Sequence, residues 1–576
     1  MLLEVAGRAG IILQTPCGGK GTCGKCRVLV DGNAVLACHT RVTGPMTADV
    51  PETSMFEAQQ QILTADNGTQ TAVNPFVRVV PFSLTAPSHG DPRSDASRLQ
   101  EALGGNIEIP LEALRELPGF LRSNQWHGRA VVAGSRLLAL DCHLENPGVF
   151  GMAFDLGTTT VVGTLFNLET GKECAVASRM NGQIAHGDDV ISRIQKVRES
   201  PGALVALQEA VTGTLNAIIE DACRHAGIST SGIYEIVLAG NSTMQQILLG
   251  LDPSALGEVP FVQVFDQSVT HSATRLGLQA NAGADIYVFP QIGGFVGGDT
   301  VAGMVAARLD RWDAPVLLVD IGTNGEIVLA HKGKLLAAST AAGPAFEGAR
   351  IRQGMRAAPG AIEKVILDDD VTVNIIGNAR PAGLCGTALI DTVAELLRTG
   401  IIDETGRILA ADEVPGSVSE ALKQRLVPQE HDVCFELVSA TDSAGGEAIC
   451  LWQRDVRELQ LASGAIRAGV NILLKRAGLQ PHELGTVLLA GAFGNFIRRN
   501  HARRIGLLPP LPTERIRFIG NAASMGAKLA LLSAEERRYA NALCAGTEHV
   551  DLSLDPEFQL EFSMAMMFPG SETDAL

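Results

Sequence analysis

The chain has 576 residues, 46% of them hydrophobic, and its 63 acidic side chains outnumber 46 basic ones for a net charge of −17. That length suggests about three to four domains with sizeable cores. An acidic chain without Lys/Arg runs excludes ordinary nucleic-acid recognition, and no apolar stretch reaches the ~20 residues of a membrane span.

The first segment, Met1-Leu-Leu-Glu4-Val-Ala-Gly-Arg8, breaks its apolar residues with charges and lacks a signal-peptide layout. Leu2–Ile11 reads as a helix. It leads into Cys17-Gly-Gly-Lys-Gly-Thr-Cys23-Gly-Lys-Cys26, and Cys38 follows in Leu-Ala-Cys-His-Thr. The run Arg27-Val-Leu-Val-Asp-Gly32-Asn-Ala-Val-Leu-Ala reads as strand, Asp-Gly turn and strand, which delivers Cys38 back beside the loop. Four thiolates at Cys-x5-Cys-x2-Cys-x11-Cys suit a 2Fe–2S cluster held by Cys17, Cys23, Cys26 and Cys38. Glycines between them let backbone N–H groups turn toward the sulfurs. Structural zinc is the competing reading, but it usually uses two separated Cys-x2-Cys pairs, and only one pair has that spacing. The loop resembles that of the 2Fe–2S ferredoxins, so residues 1–55 are expected to form a β-grasp ferredoxin-like domain. The other seven of eleven cysteines are scattered singly, which argues against a secreted disulfide framework and for the cytoplasm.

Residues 56–75 are polar without a clear period and read as a tether. Residues 76–150 read as a small α/β piece. Its loop Pro87–Ser97 precedes a short helix from Arg98 to Leu103, with Asp95 or Ser97 as the expected cap.

The large unit, 151–576, contains a duplication, with halves of about 151–310 and 311–576. Phe154-Asp155-Leu-Gly157-Thr158-Thr159-Thr160 and Val319-Asp320-Ile-Gly322-Thr323-Asn324-Gly-Glu326 each read as strand, Asp-x-Gly-Thr turn, strand. A helix ending Ala226-Gly227 leads to the strand ending Gly240, and a helix ending Ala477-Gly478 leads to the strand ending Gly491. Two motifs repeated in the same order indicate a tandem pair of like α/β halves. Leu204, Leu207, Val211, Leu215 and Ile218 share one face of the first of these helices and are expected in the core, together with Cys223.

A tight Asp-x-Gly-Thr turn exposes N–H groups and hydroxyls that can cradle phosphate. Its aspartate can orient Mg²⁺ or its waters. Facing copies, Asp155 with Thr158–Thr160 and Asp320 with Thr323–Asn324, would clamp a polyphosphate from two sides. Gly491 and Gly494 leave a surface free of side chains where an adenine or ribose can lie.

This pattern resembles the actin-like ATPases, in which two ribonuclease-H-like halves close on ATP. The resemblance implies that Gly157–Thr160 and Gly322–Glu326 are the two phosphate loops, that Gly491–Gly494 is the adenosine loop, and that Gly240-Asn241 is its counterpart. Asp155 and Asp320 would then be the catalytic aspartates. Joined to a ferredoxin unit and a middle piece, the whole chain resembles the reductive activators of corrinoid-dependent methyltransferase systems. Gly293–Asp299, Ser339–Glu347, Gly383–Asp391 and Arg457–Arg467 add to the match. The family implies ATP-dependent, one-electron reduction of a Co(II) corrinoid protein to Co(I). It also implies an upstream electron-donating reductase, and a homodimer formed through the large domain. Archaeal relatives carry 4Fe–4S cysteines at the C-terminus, whereas here only Cys544 lies beyond Cys450. The family's opening β-hairpin is not evident before Leu2, so a true start upstream of Met1 is expected.

Three other functions fit parts of this pattern: an ATP-driven electron donor to a non-corrinoid enzyme, a small-molecule kinase of the actin-like superfamily, and a regulatory protein with a vestigial ATP site. The first would need a second cysteine set, and the second leaves the ferredoxin loop unexplained.

Overall fold

The computed structural model describes residues 2, 26–30, 32–42, 44, 46–50, 73–141, 148–187, 189–322, 324–348, 350–377, 379–430, 432–491 and 497–570. The helix expected over Leu2–Ile11 (apart from Leu2), Cys17, Cys23, almost all of the 56–75 tether, Thr323 and Gly494 lie outside the described residues. No described helix is long and apolar enough to cross a membrane.

Near the N-terminus, β1 (Arg27–Val30) and β2 (Asn33–Leu36) pair antiparallel around Gly32, whose φ of +80° suits a hairpin turn. β3 (Ala48–Asp49) joins the other edge of β1. The next piece is a three-stranded sheet of β4 (Val77–Ser83), β5 (His127–Ala133) and β6 (Arg136–Asp141). Helices α1 (Asp95–Ala102) and α2 (Leu111–Ser123) pack Leu99, Leu117 and Leu121 against it. Helix α1 starts three residues earlier than its sequence suggested. Its cap is Ser94, whose Oγ accepts the Ser97 N–H at 3.1 Å, and Asp95 is already helical. A serine directly before an acidic first turn is the better cap and competes out the later start.

The large unit holds two six-stranded sheets built on the same five-strand core, with the sixth strand added at opposite edges. In the first half, β7 (Phe150–Leu156), β8 (Thr160–Asn167) and β9 (Glu173–Met180) form an antiparallel meander. After α3 (Val190–Glu199) and α4 (Ala203–Ala226), β10 (Ile233–Gly240) returns parallel to β7. Helix α5 (Ser242–Leu248), β11 (Val269–Ser272), β12 (Asp285–Val288) and α6 (Gly298–Ala307) complete it, in strand order β11-β12-β10-β7-β8-β9.

The second half repeats the meander with β13 (Val316–Ile321), β14 (Gly325–His331) and β15 (Lys334–Thr340). An insert follows, made of β16 (Ala361–Leu367), β17 (Val371–Ile375), β18 (Gly383–Leu384), α7 (Gly386–Thr399), α8 (Glu420–Gln424), β19 (Leu426–Pro428), β20 (Val433–Val438) and β21 (Ile449–Leu451). Then α9 (Gln453–Ala477), β22 (Thr486–Ala490), α10 (Arg499–Arg504), β23 (Ile516–Gly520), α11 (Ala522–Leu532), α12 (Ala534–Ala545), β24 (Thr547–His549) and α13 (Phe558–Ala565) complete the chain, in strand order β23-β22-β13-β14-β15-β24.

The equivalent helices α4 and α9 both end on a left-handed glycine, Gly227 at φ +68° and Gly478 at φ +67°, which releases the chain toward β10 and β22. Leu207, Val211, Leu215 and Ile218 are fully buried on α4, Leu204 is partly so, and Cys223 is buried among them. The halves meet through the equivalent helices α6 and α11. There Gly526 lies so close to the α6 backbone that a Cβ would stand 2.0 Å from the Ala302 carbonyl oxygen. A shared core, including Ala302, Val305, Ala527 and Leu531, seals the junction.

Candidate functional site

A cavity of about 490 Å³ opens between the two halves, where the turns joining β7 to β8 and β13 to β14 approach each other. Asp155, Gly157, Thr158, Thr159, Thr160 and Asn241 of the first half line it, facing Asp320, Gly322, Asn324, Glu326 and Gly491 of the second. The sequence-assigned nucleotide groups that fall within described residues therefore converge on one chamber, with Gly240 the exception. It lies just behind Asn241, packed on Leu156.

The turn after β7 is fixed by hydrogen bonds to its carbonyls. Asn181 Nδ2 donates to Gly157 O at 3.0 Å, Arg193 Nη2 to Thr158 O at 2.7 Å, and the Asn181 N–H to Thr159 O at 2.9 Å. Asn241 caps α5, its Oδ1 accepting the Met244 N–H, and its Nδ2 donates to Thr158 Oγ1 at 3.0 Å. Gly491 has φ +98°, and a Cβ there would come within 2.7 Å of Ile321 O and 2.8 Å of Asp320 Oδ1. Only glycine lets β22 end this close behind the second turn.

Four carboxyl groups border the chamber floor, each partly accessible from the cavity and otherwise enclosed by protein. Burial raises Asp155 to about 6, against a hydrogen bond from Asn521 Nδ2 at 2.6 Å that favours the ionised form. Burial, with a smaller contribution from the Asp155 charge, raises Asp299 to about 7. Asp320 rises to about 7 by burial and then by the charges of Asp299 and Asp155. Glu326 is pushed well above the usual carboxylate range, by burial first and then by Asp299 and Asp320. Crowded, desolvated carboxylates favour a divalent cation with oxygen ligands. Among the described residues no three His, Cys, Asp or Glu side chains converge into a ready-made metal cage. Mg²⁺ fits that arrangement, because it is usually held by one or two carboxylates together with substrate phosphates and waters.

Several lining groups have no role assigned from sequence, although Asp299, Glu347, Cys385 and Thr387 fall in stretches that carry the family resemblance. Asp299 opens α6, and Asn521 caps α11 while reaching across to the other half. Glu347 Oε2 accepts a hydrogen bond from Thr159 Oγ1 at 3.2 Å, again between halves. The insert adds Phe346, Ile376, Cys385 and Thr387 to the chamber wall. One signal for Asn521 was available: Gly520-Asn521 at the end of β23 echoes Gly240-Asn241 at the end of β10.

Of the four sequence-assigned cluster ligands, Cys26 and Cys38 are described. Both are buried, and their sulfurs lie 3.2 Å apart. That is well beyond the ~2.05 Å of a disulfide. The β1–β2 hairpin brings them together, with the Ala37 N–H donating to Cys26 O at 2.9 Å. Adjacent buried thiols are a donor set suited to iron or another thiophilic metal.

Comparison with known proteins gives a consistent picture along the chain. Residues 67–146 match the model of the RACo linker region, 150–312 that of the RACo middle region, and 314–576 that of the C-terminal, ASKHA domain of RACo. A corrinoid activation enzyme, RamQ, of Eubacterium limosum is 36% identical over 99% of this chain and 96% of its own length. A [Co(II) methylated amine-specific corrinoid protein] reductase of Methanosarcina barkeri is 26% identical over 66% of this chain and 70% of its own. The solved structure of a reductive activator for a corrinoid, iron–sulfur protein superposes with a TM-score of 0.78 at 33% identity, covering 99% of this chain and 96% of that one.

Proposed function

This chain belongs to the RACo family of reductive activators of corrinoid proteins, and from that premise we propose that it couples ATP turnover to one-electron reduction of a Co(II) corrinoid protein. The observation that carries the reading is the chamber between the halves, where the turns after Asp155 and Asp320 face each other over a group of largely enclosed carboxylates. Thr158–Thr160 and Asn324 offer N–H groups and hydroxyls to the phosphates of ATP, and Gly491 gives the nucleoside a close approach to the backbone. Asp155 and Asp320 would hold Mg²⁺ or its waters and orient the attacking water, with Asp299 and Glu326 beside them as further oxygen donors that lose their protons when the cation binds.

At the N-terminus, Cys17, Cys23, Cys26 and Cys38 are assigned as the ligands of a 2Fe–2S cluster, and the close pair Cys26–Cys38 supports that assignment. Such a cluster supplies a one-electron carrier, near −400 mV in plant-type ferredoxins. Each 59 mV by which the cobalt couple lies lower costs about tenfold in equilibrium. Nucleotide turnover offsets this by changing the affinity for the partner or the coordination of its cobalt. An upstream reductase reloads the N-terminal unit, the ATPase unit docks the corrinoid protein and forms a homodimer, and the protein acts in the cytoplasm.

Anaerobic reconstitution tests the electron-carrying half of this reading. It should give two irons per chain with a thiolate-to-iron absorption band, both lost or altered in Cys26→Ser. Stoichiometric zinc, or a band unchanged in Cys26→Ser, would overturn it. Calorimetry with ATP and Mg²⁺ tests the other half, and no binding to the intact chain would overturn it.

A further inference from the structure

We propose that Arg193, which lies wholly inside the first half, is a positioning residue for phosphate: it turns the peptides of the β7–β8 turn so that their N–H groups face the chamber. The inference rests on the reading of the chamber as a nucleotide site.

Arg193 has no exposed surface. The Asp189 capping box fixes the start of α3, which carries Arg193 beneath the turn. Its Nε donates to Gly187 O at 3.0 Å, Nη1 to Gln183 Oε1 and Met244 Sδ at 3.0 Å each, and Nη2 to Thr158 O at 2.7 Å. Burying a guanidinium is costly unless its donors are engaged, so this side chain is committed to one geometry.

In a planar trans peptide the N–H points opposite to the C=O. Asn181 holds Gly157 O from behind, and Arg193 holds Thr158 O. The Thr158 and Thr159 N–H groups are thereby turned away from Asn181 and Arg193, on residues that line the chamber. Thr159 O and Thr160 O are also engaged, by the Asn181 and Gly157 N–H groups at 2.9 and 3.1 Å. An anion entering the chamber thus meets donors at this turn, with all four carbonyl oxygens held by protein donors. Without the guanidinium the Thr158–Thr159 peptide is free to flip and present its oxygen to phosphate. The fixed positive charge behind that peptide adds to the attraction.

The test is calorimetry on the full chain with ATP–Mg²⁺ and, separately, with adenosine, comparing wild type with Arg193→Met, Arg193→Lys and Asn181→Asp. Loss of a hydrogen bond to a charged group corresponds to about tenfold or more in affinity. Arg193→Met should therefore bind ATP about tenfold or more weakly, with adenosine affinity held within about twofold. Arg193→Lys, which keeps the charge and one direction of donation, should recover part of the loss. Asn181→Asp keeps the acceptor for the Gln183 N–H but removes the donor to Gly157 O, so it should show the same ATP-selective loss even if Arg193→Met does not fold. Parallel weakening of ATP and adenosine, or unchanged ATP affinity in Asn181→Asp, would overturn the proposal. Wild-type protein that binds no ATP would instead overturn the nucleotide reading itself.

Discussion

The two halves of the large unit share a five-strand order, a helix cap and an Asp-x-Gly-Thr motif, yet they build different walls of the same chamber. Between the meander and the long helix, the first half spends 22 residues (181–202) and the second 112 (341–452). The short segment folds back under its own turn, supplying Asn181, Gln183 and Arg193. The long one builds sheets of its own and sends Phe346, Ile376, Cys385 and Thr387 into the chamber. Two equivalent carboxylates thus stand face to face, and the differing segments between meander and helix give one half a braced turn and the other a side wall that mixes apolar groups with polar and charged ones. The turns differ as well: Asp155 takes a hydrogen bond from Asn521 of the opposite half, while burial and neighbouring charge alone govern Asp320 among the described residues.

The largest effect should come from breaking the symmetry of the carboxylates. Asp155→Ala and Asp320→Ala should each lower ATP turnover by about 100-fold or more, with melting temperatures near wild type, because both act on metal and water. Turnover lost in only one of the pair would show that the duplication is structural on the other side.

The contact between halves is the next place to strike. Gly526→Ala forces α11 away from α6, since the intruded atom is Ala302 backbone and cannot rotate aside. A loss of about 3 kcal/mol, at the upper end for overpacking, is expected in denaturant unfolding. Unchanged stability would mean that the two helices are not in backbone contact.

The second half also carries a device without a counterpart among the described residues of the first. His501 of α10 is buried, its Nδ1 donating to Asp391 Oδ1 at 2.6 Å and its Nε2 reaching Glu395 Oε1 at 3.0 Å, both on α7. Carboxylates only accept, so the ring is held doubly protonated and ties the helix after β22 to the one that opens at the chamber. Burial alone would lower its pKa, but the bonds to Asp391 and Glu395 outweigh that and raise it above 6.5. The stabilisation is therefore complete below the unfolded value near 6.5 and is lost as pH rises through the higher folded value. His501→Gln should cost about 3 kcal/mol at pH 6, the scale of a broken buried pair. The gap to wild type should narrow at alkaline pH, and a gap that widens instead would contradict the imidazolium assignment. Smaller still, Gly491→Ala should cost about 1–3 kcal/mol through its left-handed φ and crowd Asp320, raising the KM for ATP.

Much of this was legible because it is local. The strand–turn–strand signals, the Gly227 and Gly478 caps and the hairpin around Gly32 each occupy a few consecutive residues, and the described backbone obeys them. Cys26 and Cys38 were likewise readable as neighbours, since one hairpin joins them. Arg193, Asp299, Glu347 and Asn521 were not, because each acquires its role only when sheet packing or the approach of the halves brings it to the turn. Asn521 touches Asp155 across 366 positions of sequence. An arginine on an ordinary amphipathic helix gives no sign that it will be wholly buried. The α1 cap is hidden for a simpler reason, since Ser94 sits inside the loop-forming run Pro87–Ser97.

The central claim is that nucleotide chemistry in the chamber drives electron delivery to a corrinoid partner. Its most direct test follows Co(II) and Co(I) absorption anaerobically, with the reconstituted chain, a reductant, ATP–Mg²⁺ and an oxidised corrinoid protein from a methyltransferase system. Co(I) should accumulate with wild type and ATP, and fall to the no-ATP background with Asp155→Ala. Equal Co(I) formation with and without ATP, or full activity in Asp155→Ala, would contradict the account.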